Sequence, residues 1–345
     1  MRKSMSGLCL IAIAFTVACG SSGSDTTGNS SCAAGSNDFY VVESACSTAN
    51  AGKLVRVNPD AACKDTILSS LDCPVALVLE SNGTGYLSEV TQTASKPTGQ
   101  EQPGNIYYID VNNKTKTLVN DGRNRVFMAP KALFLGQISS EDTSKGLGCT
   151  NGTSRILFVA DEGNDTSGTV WKWCLDTANL TGSPEPIAEI SSDQTAMINP
   201  RGIETLDGKY LLVTARSADG TQGILVRKEI GLAGSTAIVS FENNFFTNNL
   251  KFIIKDTNTA DTNFLIVDAG DGTVSRYDTT AGTARALQNN LDGPRDALPI
   301  GDGYYLVSLF GGNQVVKTKL NGDTPTNVAT GLTFDAPENI AQISN

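Results

Sequence analysis

From Gly293 to Leu320 the chain reads GPRDALPIGDGYYLVSLFGGNQVVKTKL. A proline opens a short apolar segment and a Gly/Asp turn closes it. An aromatic-apolar segment, a Gly-containing turn and an alternating segment with basic outward positions follow. Each segment has the length and residue types of a strand, and the punctuation is that of hairpins. Outward from this stretch the same order recurs. It is found in NPRGIETLDGKYLLVTARSADGTQGILVRKEI from Asn199 and NLKFIIKDTNTADTNFLIVDAGDGTVSRYDT from Asn249. It returns from Ala129, with an insertion between its first two strands, and from Cys73. A weaker fourth strand, such as STAIVSF from Ser235, completes the unit.

The starts fall at Pro74, Pro130, Pro200, Asn249, Pro294 and Pro337, at intervals of 56, 70, 49, 45 and 43 residues. Four-stranded propeller blades take about 40–50 residues, and the longer intervals contain insertions. The last start, APENIAQISN, supplies one strand before the chain ends. FYVVES from Phe39, GKLVRVN from Gly52 and TILSSL from Thr66 supply strands two to four of a blade lacking its first. Joining both termini in one blade closes the ring and removes its open edge. The expected fold is therefore all-β: a six-bladed β-propeller of four-stranded antiparallel blades over residues 39–345. A β-sandwich would not explain six starts at blade-like spacing.

Composition narrows the chemistry. The 345 residues include 26 Lys+Arg, 36 Asp+Glu, eight Cys and no histidine, for a formal charge of −10. That balance argues against a nucleic-acid partner. Without histidine there is no Ser-His-Asp or Cys-His nucleophile, no histidine-ligated metal and no histidine base. No GxSxG, P-loop or Rossmann fingerprint occurs.

At the N-terminus, Arg2 and Lys3 precede an apolar run from Leu8 to Val17. The run is too short to span a bilayer and reads as a signal peptide over residues 1–18. Thr16-Val17-Ala18-Cys19 resembles the lipobox of bacterial lipoproteins, with Thr16 in place of the usual leucine. The resemblance implies lipidation (palmitate included) at Cys19, a polar tether over residues 19–38 and a cell-envelope address, with Gly20 pointing to the outer membrane. An ordinary secreted protein is the alternative.

Six cysteines remain beyond Cys19, and in an exported chain they suggest three disulfides among fifteen pairings. In an up-and-down blade the 2–3 loops and inter-blade connections share one face, and the 1–2 and 3–4 loops share the other. Partners must come within about 7 Å at Cα. Face sharing predicts Cys46–Cys73, Cys32–Cys63 and Cys149–Cys174. The rival local pairing, Cys32–Cys46 with Cys63–Cys73, would bridge opposite faces.

First strands line a propeller's channel, so Lys131, Arg201, Lys251, Arg295 and Glu338 are expected at its mouth, with Asp296 beside Arg295. Second-strand ends add Asp161 and Asp268. Such a ring could bind a small anion or sugar acid, or its charges could simply pair and stabilise the ring. DEGNDTSGTVWK from Asp161 has acidic spacing like a calcium loop but lacks glycine at its sixth place and glutamate at its twelfth. Trp171 and Trp173 share a face of one strand and are expected to pack between blades.

The repeat P-x-[AGI]…GxYLVxxx…GxVxRxD resembles six-bladed propellers of the NHL-repeat and gluconolactonase-like group. That resemblance implies a divalent metal held by Glu, Asn and Asp at first-strand starts. Glu338 matches the Glu, but Arg201 and Arg295 stand at the other two positions, which disfavours a cation. No cofactor is expected, with calcium the one ion left open. The expected function is a non-enzymatic binding protein, anchored to the membrane by lipid and presenting its disc to an envelope protein, glycan or small ligand. The alternatives are a gluconolactonase-like metal-dependent hydrolase at the channel mouth and a structural part of an envelope assembly.

Overall fold

The computed structural model describes residues 32–90, 104–119, 127–137, 155–163, 168–175, 185–186, 197–229, 236–239, 245–247, 249–321, 324–328 and 332–343. Among these residues every regular element is a strand. The closing blade holds β1 (Phe39–Glu43), β2 (Gly52–Asn58) and β3 (Cys63–Leu71). The second holds β4 (Pro74–Leu79), β5 (Thr84–Val90), β6 (Gly104–Asp110) and β7 (Thr115–Leu118). The third holds β8 (Pro130–Gln137), β9 (Arg155–Asp161), β10 (Thr169–Cys174) and β11 (Glu185–Pro186). The fourth comprises β12 (Met197–Leu206), β13 (Tyr210–Ser217), β14 (Gly223–Glu229) and β15 (Thr236–Val239). The fifth comprises β16 (Leu250–Lys255), β17 (Asn263–Asp268), β18 (Thr273–Asp278) and β19 (Thr283–Gln288). In the sixth are β20 (Pro294–Pro299), β21 (Tyr305–Leu309), β22 (Gln314–Thr318) and β23 (Thr326–Asn327). The last strand, β24 (Pro337–Ala341), pairs with β1, so the closing sheet runs β24-β1-β2-β3. Six four-stranded antiparallel sheets result, and the chain is an all-β six-bladed propeller.

First strands of neighbouring blades touch in an unbroken ring, from β24 through β4, β8, β12, β16 and β20 back to β24. Second strands are buried on both faces, which is why they read as continuous apolar runs rather than as alternating ones. In β1, Phe39 and Val41 pack with Leu306 and Val315 of the sixth blade. Tyr40 and Val42 pack with Leu77 and Leu87 of the second. The repeat's glycine and proline meet across blades. A Cβ on Gly52, Gly104 or Gly168, at or just before a third strand, would lie 2.3, 2.1 or 2.2 Å from Cδ of Pro74, Pro130 or Pro200. Only glycine lets the next blade's proline come that close. Trp171 and Trp173 do pack between blades, both against Phe127.

Cys32–Cys63 and Cys46–Cys73 are bonded, with Cα atoms 5.9 and 4.7 Å apart. The first lies on the face of the 3–4 loops and the second on the face of the inter-blade connections, as the topology requires. Cys174 is also disulfide-bonded, while Cys149 lies outside the described residues. Disulfides of this kind mark a secreted-type, non-cytoplasmic protein. No helix among the described residues is long and apolar enough to cross a membrane. Cys19 and residues 1–18, on which the signal and lipidation expectations fall, lie outside the described residues, and the folded unit takes in Cys32 onward.

One buried acid makes the fold sensitive to pH. Glu204 on β12 accepts the N–H of Thr205 at 2.8 Å and that of Lys255 at 3.2 Å. Burial outweighs both bonds and pushes its carboxyl up to about 7. The folded state therefore holds a proton that the unfolded state has released, so stability is lost as pH rises from about 4 through about 7. Across that window wild type is expected to lose about 3 kcal/mol relative to Glu204→Gln. Urea unfolding of both proteins at about pH 4 and pH 8 reads the difference. Parallel profiles would refute it.

Candidate functional site

The first strand of every blade departs from regular pairing near its start. Pro74 and Ala76 pair with Glu89 and Ser88, leaving Val75 unpaired between them. The same skip isolates Lys131, Lys251, Arg295 and Glu338. In the fourth blade it spans Asn199 to Arg201. A β-bulge re-aims the side chain it frees, so six bulges turn six equivalent residues towards one place. Val75, Lys131, Arg201, Lys251, Arg295 and Glu338 all line one cavity of about 80 Å³, with Glu162, Phe252 and Asn339 completing its wall.

Charge is unbalanced in this cavity. Four cations face two carboxylates among the described residues. Glu162, just beyond β9, takes two of the cations: Arg201 donates to it through Nε at 2.8 Å and through Nη2, and Lys131 Nζ lies 3.5 Å away. Burial alone would raise the Glu162 carboxyl, but Arg201, Lys131 and Lys251 outweigh it and hold the group at about 2. Arg201 also donates to Asn249 Oδ1 at 2.9 Å. Arg295 stacks 4.3 Å over the Phe310 ring, and its buried Nε lies 3.6 Å from Glu338, without a hydrogen-bond partner. The Lys251 ammonium makes no ion pair or hydrogen bond among the described residues. Its burial, then Arg201 and Arg295, press its ammonium down to about 6 against the pull of Glu338 and Glu162. This is a half-buried concave surface with donors to spare, suited to an anion.

The other expected residues stand elsewhere. Asp296 does not reach the mouth. It is fully buried in the wall, accepting from Asn339 Nδ2 and the Ile340 N–H at 2.8 Å each and from the Ala297 N–H at 2.7 Å. Burial raises its carboxyl to about 7 despite these donors. Asp161 and Asp268 are also buried, and they serve the backbone. Asp161 accepts the N–H groups of Met128 and Ala129 at 2.9 and 2.6 Å. Asp268 accepts those of Thr247 and Gly270 at 2.7 and 2.9 Å. Each lies opposite the first residue of its blade's first strand, where Glu43 and Glu89 stand in two other blades. These acids hold the entry to the first strand rather than the mouth. Glu162, next to Asp161 in sequence, is the carboxylate that faces the cavity.

A divalent metal of the kind the gluconolactonase-like resemblance implies does not fit this donor set. The carboxylates available, Glu162 and Glu338, already neighbour guanidinium groups, and two of the three expected ligand positions are arginines. Among the described residues no group of three or more Cys, Asp or Glu is placed to hold a metal. On the opposite face, between the sixth and closing blades, a cavity of about 460 Å³ is lined by Phe39, Ile300, Tyr304, Leu306 and Lys317 among others.

No protein-family model matches the chain, and no curated protein sequence matches it. Solved structures share its shape. A chain from a nidogen/laminin complex aligns over 89% of this chain and 99% of its own, with TM-score 0.59 and 13% identity. TolB from Acinetobacter baumannii aligns over 88% of this chain and 65% of its own, with TM-score 0.55 and 15% identity. A calcium-binding protein, regucalcin, from Agrobacterium tumefaciens aligns over 74% of each chain at 13% identity, but its TM-score of 0.46 supports no argument. At these identities the likeness is one of fold: the chain shares the β-propeller architecture of the first two structures.

Proposed function

We propose that this protein is an exported, lipid-anchored binding module whose channel mouth takes a small, multiply charged anion. One observation carries the reading: bulges in all six blades aim a ring at one cavity, and that cavity, with Glu162 counted, holds two more cations than carboxylates among the described residues. In a half-buried cavity such an excess is costly unless something negative shares the space. The cavity has room for on the order of five to eight water-sized groups, the scale of an oxyanion or a short dicarboxylate. Ion pairing within the ring accounts for Lys131, Arg201 and part of Arg295, but not for Lys251. The hydrolase alternative gains no support, because the positions it needs carry guanidinium groups.

The export signal, the Cys19 lipobox and the disulfides support an envelope address. An envelope protein or glycan on the disc face is a further partner to test by pull-down from membranes. Lipidation is tested by Cys19→Ala, which should move the protein from the membrane to the aqueous fraction. Anion binding is tested by calorimetry with sulfate at about pH 5 and low salt, where sulfate is a dianion and the ring cations are charged. Arg295→Glu should weaken binding about ten- to a hundredfold, the worth of a charge-assisted hydrogen bond. No heat and no thermal stabilisation with sulfate would overturn the reading.

A further inference from the structure

We infer that the mouth captures a small dianion together with one proton, and that the Lys251 amine is the group that takes the proton up. The inference rests on the anion-binding reading and specifies its ligand class and regulation.

Lys251 leaves β16 at a bulge and enters a cavity whose other walls come from five further blades. The groups facing it are Arg201 from β12, Arg295 from β20, Lys131 from β8, Glu162 beyond β9 and Glu338 from β24. Glu162 is already shared by Arg201 and Lys131, and Glu338 lies beside Arg295. Neither carboxylate forms an ion pair with the Lys251 ammonium among the described residues, so the lysine sits by two guanidinium groups without a pair of its own. That placement drives its amine to give up its proton near pH 6. With Lys251 neutral, three cations face two carboxylates and the surplus is one. With Lys251 charged it is two, which matches a dianion. A bound dianion cancels the repulsion from Arg201 and Arg295, so the amine regains its proton as the ligand enters.

The consequence has a definite sign. Below about pH 6 Lys251 is charged before binding, and no proton is taken up. Above it, affinity falls about tenfold per pH unit until Lys251 titrates in the complex itself. Two other buried acids have values near 7, Asp296 behind Arg295 and Glu204 further along β12. Neither lines the cavity. They are the rival acceptors that an experiment must separate from Lys251.

Sulfate is the probe at both pH values, since it stays a dianion from about pH 4 to 9; malonate, which takes up its own proton below about pH 6.5, serves only at about pH 7.5. Calorimetry of the full folded protein at about pH 7.5, in buffers of different ionisation heat, counts the protons taken up. Wild type should take up about one per anion at that pH and almost none near pH 5. Lys251→Arg keeps the charge without the titration, so it should bind with unchanged affinity across this range and take up no proton. Lys251→Met should bind weakly at both pH values. Failure of wild type to bind sulfate at pH 5 would remove the anion-binding reading itself. Binding without proton uptake at pH 7.5, or uptake that survives in Lys251→Arg, would leave that reading standing and overturn this inference. A carbon-13 titration of the lysine Cε signals in wild type gives an independent check should the variants misfold. One lysine should titrate near pH 6 and move upward with sulfate, and its absence would refute the assignment.

Discussion

Asn339→Leu is expected to destabilise the propeller by about 3 to 4 kcal/mol, although leucine has the same number and branching of side-chain heavy atoms as asparagine. Asn339 sits on β24, the strand the C-terminal end of the chain lends to the blade begun by the N-terminal end. It is buried, and both ends of its amide are engaged with neighbouring blades. Its Nδ2 donates to Asp296 Oδ2 on β20 at 2.8 Å, and its Oδ1 accepts the Leu77 N–H on β4 at 2.9 Å. The Ile340 N–H donates to the same Asp296 oxygen, and Ser308 Oγ donates to the Glu338 carbonyl at 3.2 Å. One amide therefore links the first strands of the sixth, closing and second blades. Leucine would leave the Leu77 N–H buried without a partner and take one donor from a buried carboxylate. Each unmet group costs about 1–3 kcal/mol. Urea unfolding measures the loss, and hydrogen exchange locates it. The amides of β24 and the β1 residues paired with it should exchange faster, while those of β13 and β17 stay protected. A change below about 1 kcal/mol would mean that β24 is held by its pairing to β1 alone.

The architecture was legible because it is carried by repetition. PRDALP, PRGIETL and PKALFLG announce the same strand, and an orphan PENIA at one end answers an orphan FYVVE at the other. The two described disulfides were legible for a related reason: topology assigns loops to faces without needing a register. The site was legible only in part, because it depends on register. Asp161 and Asp268 were expected at the mouth from their place at second-strand ends, but a period of two puts adjacent residues on opposite sides. Asp161 turns inward to the backbone, and Glu162, which sequence reasoning passed over, turns to the cavity. Asp296 was expected beside Arg295 and lies behind it for the same reason. The bulges that expose Lys131, Lys251, Arg295 and Glu338 leave no residue-type signature, since valine, lysine, arginine and glutamate all occupy the freed position. The place of each residue at a first-strand start was the signal available, and it identified the ring without showing which of its charges would find partners.

Reducing the two described disulfides is expected to cost about 6 to 7 kcal/mol together, a large part of the 5–15 kcal/mol typical of a folded domain. Their partners lie 31 and 27 residues apart in sequence, and cross-links of that span remove chain entropy worth about 3 to 4 kcal/mol each from the unfolded state. Both belong to the blade assembled from the two ends of the chain. Cys46–Cys73 joins the β1–β2 loop to the entry of β4, and Cys32–Cys63 joins the segment before β1 to the start of β3. Urea midpoints of the oxidised protein, of Cys32→Ala/Cys63→Ala and of Cys46→Ala/Cys73→Ala give the separate contributions. A loss under about 1 kcal/mol for either pair would refute the entropic estimate for it. The combination with Asn339→Leu separates two ways of holding a ring shut. If the bridges act only on the unfolded chain, their removal and the loss of the Asn339 amide should add to within about 0.5 kcal/mol. If Cys46–Cys73 instead clamps the closing blade against the second in the native state, the two losses should couple by about 1 kcal/mol or more, since both then hold the same seam. The first result is expected: the amide links first strands at the ring's centre, while the bridge ties the β1–β2 loop to the entry of β4.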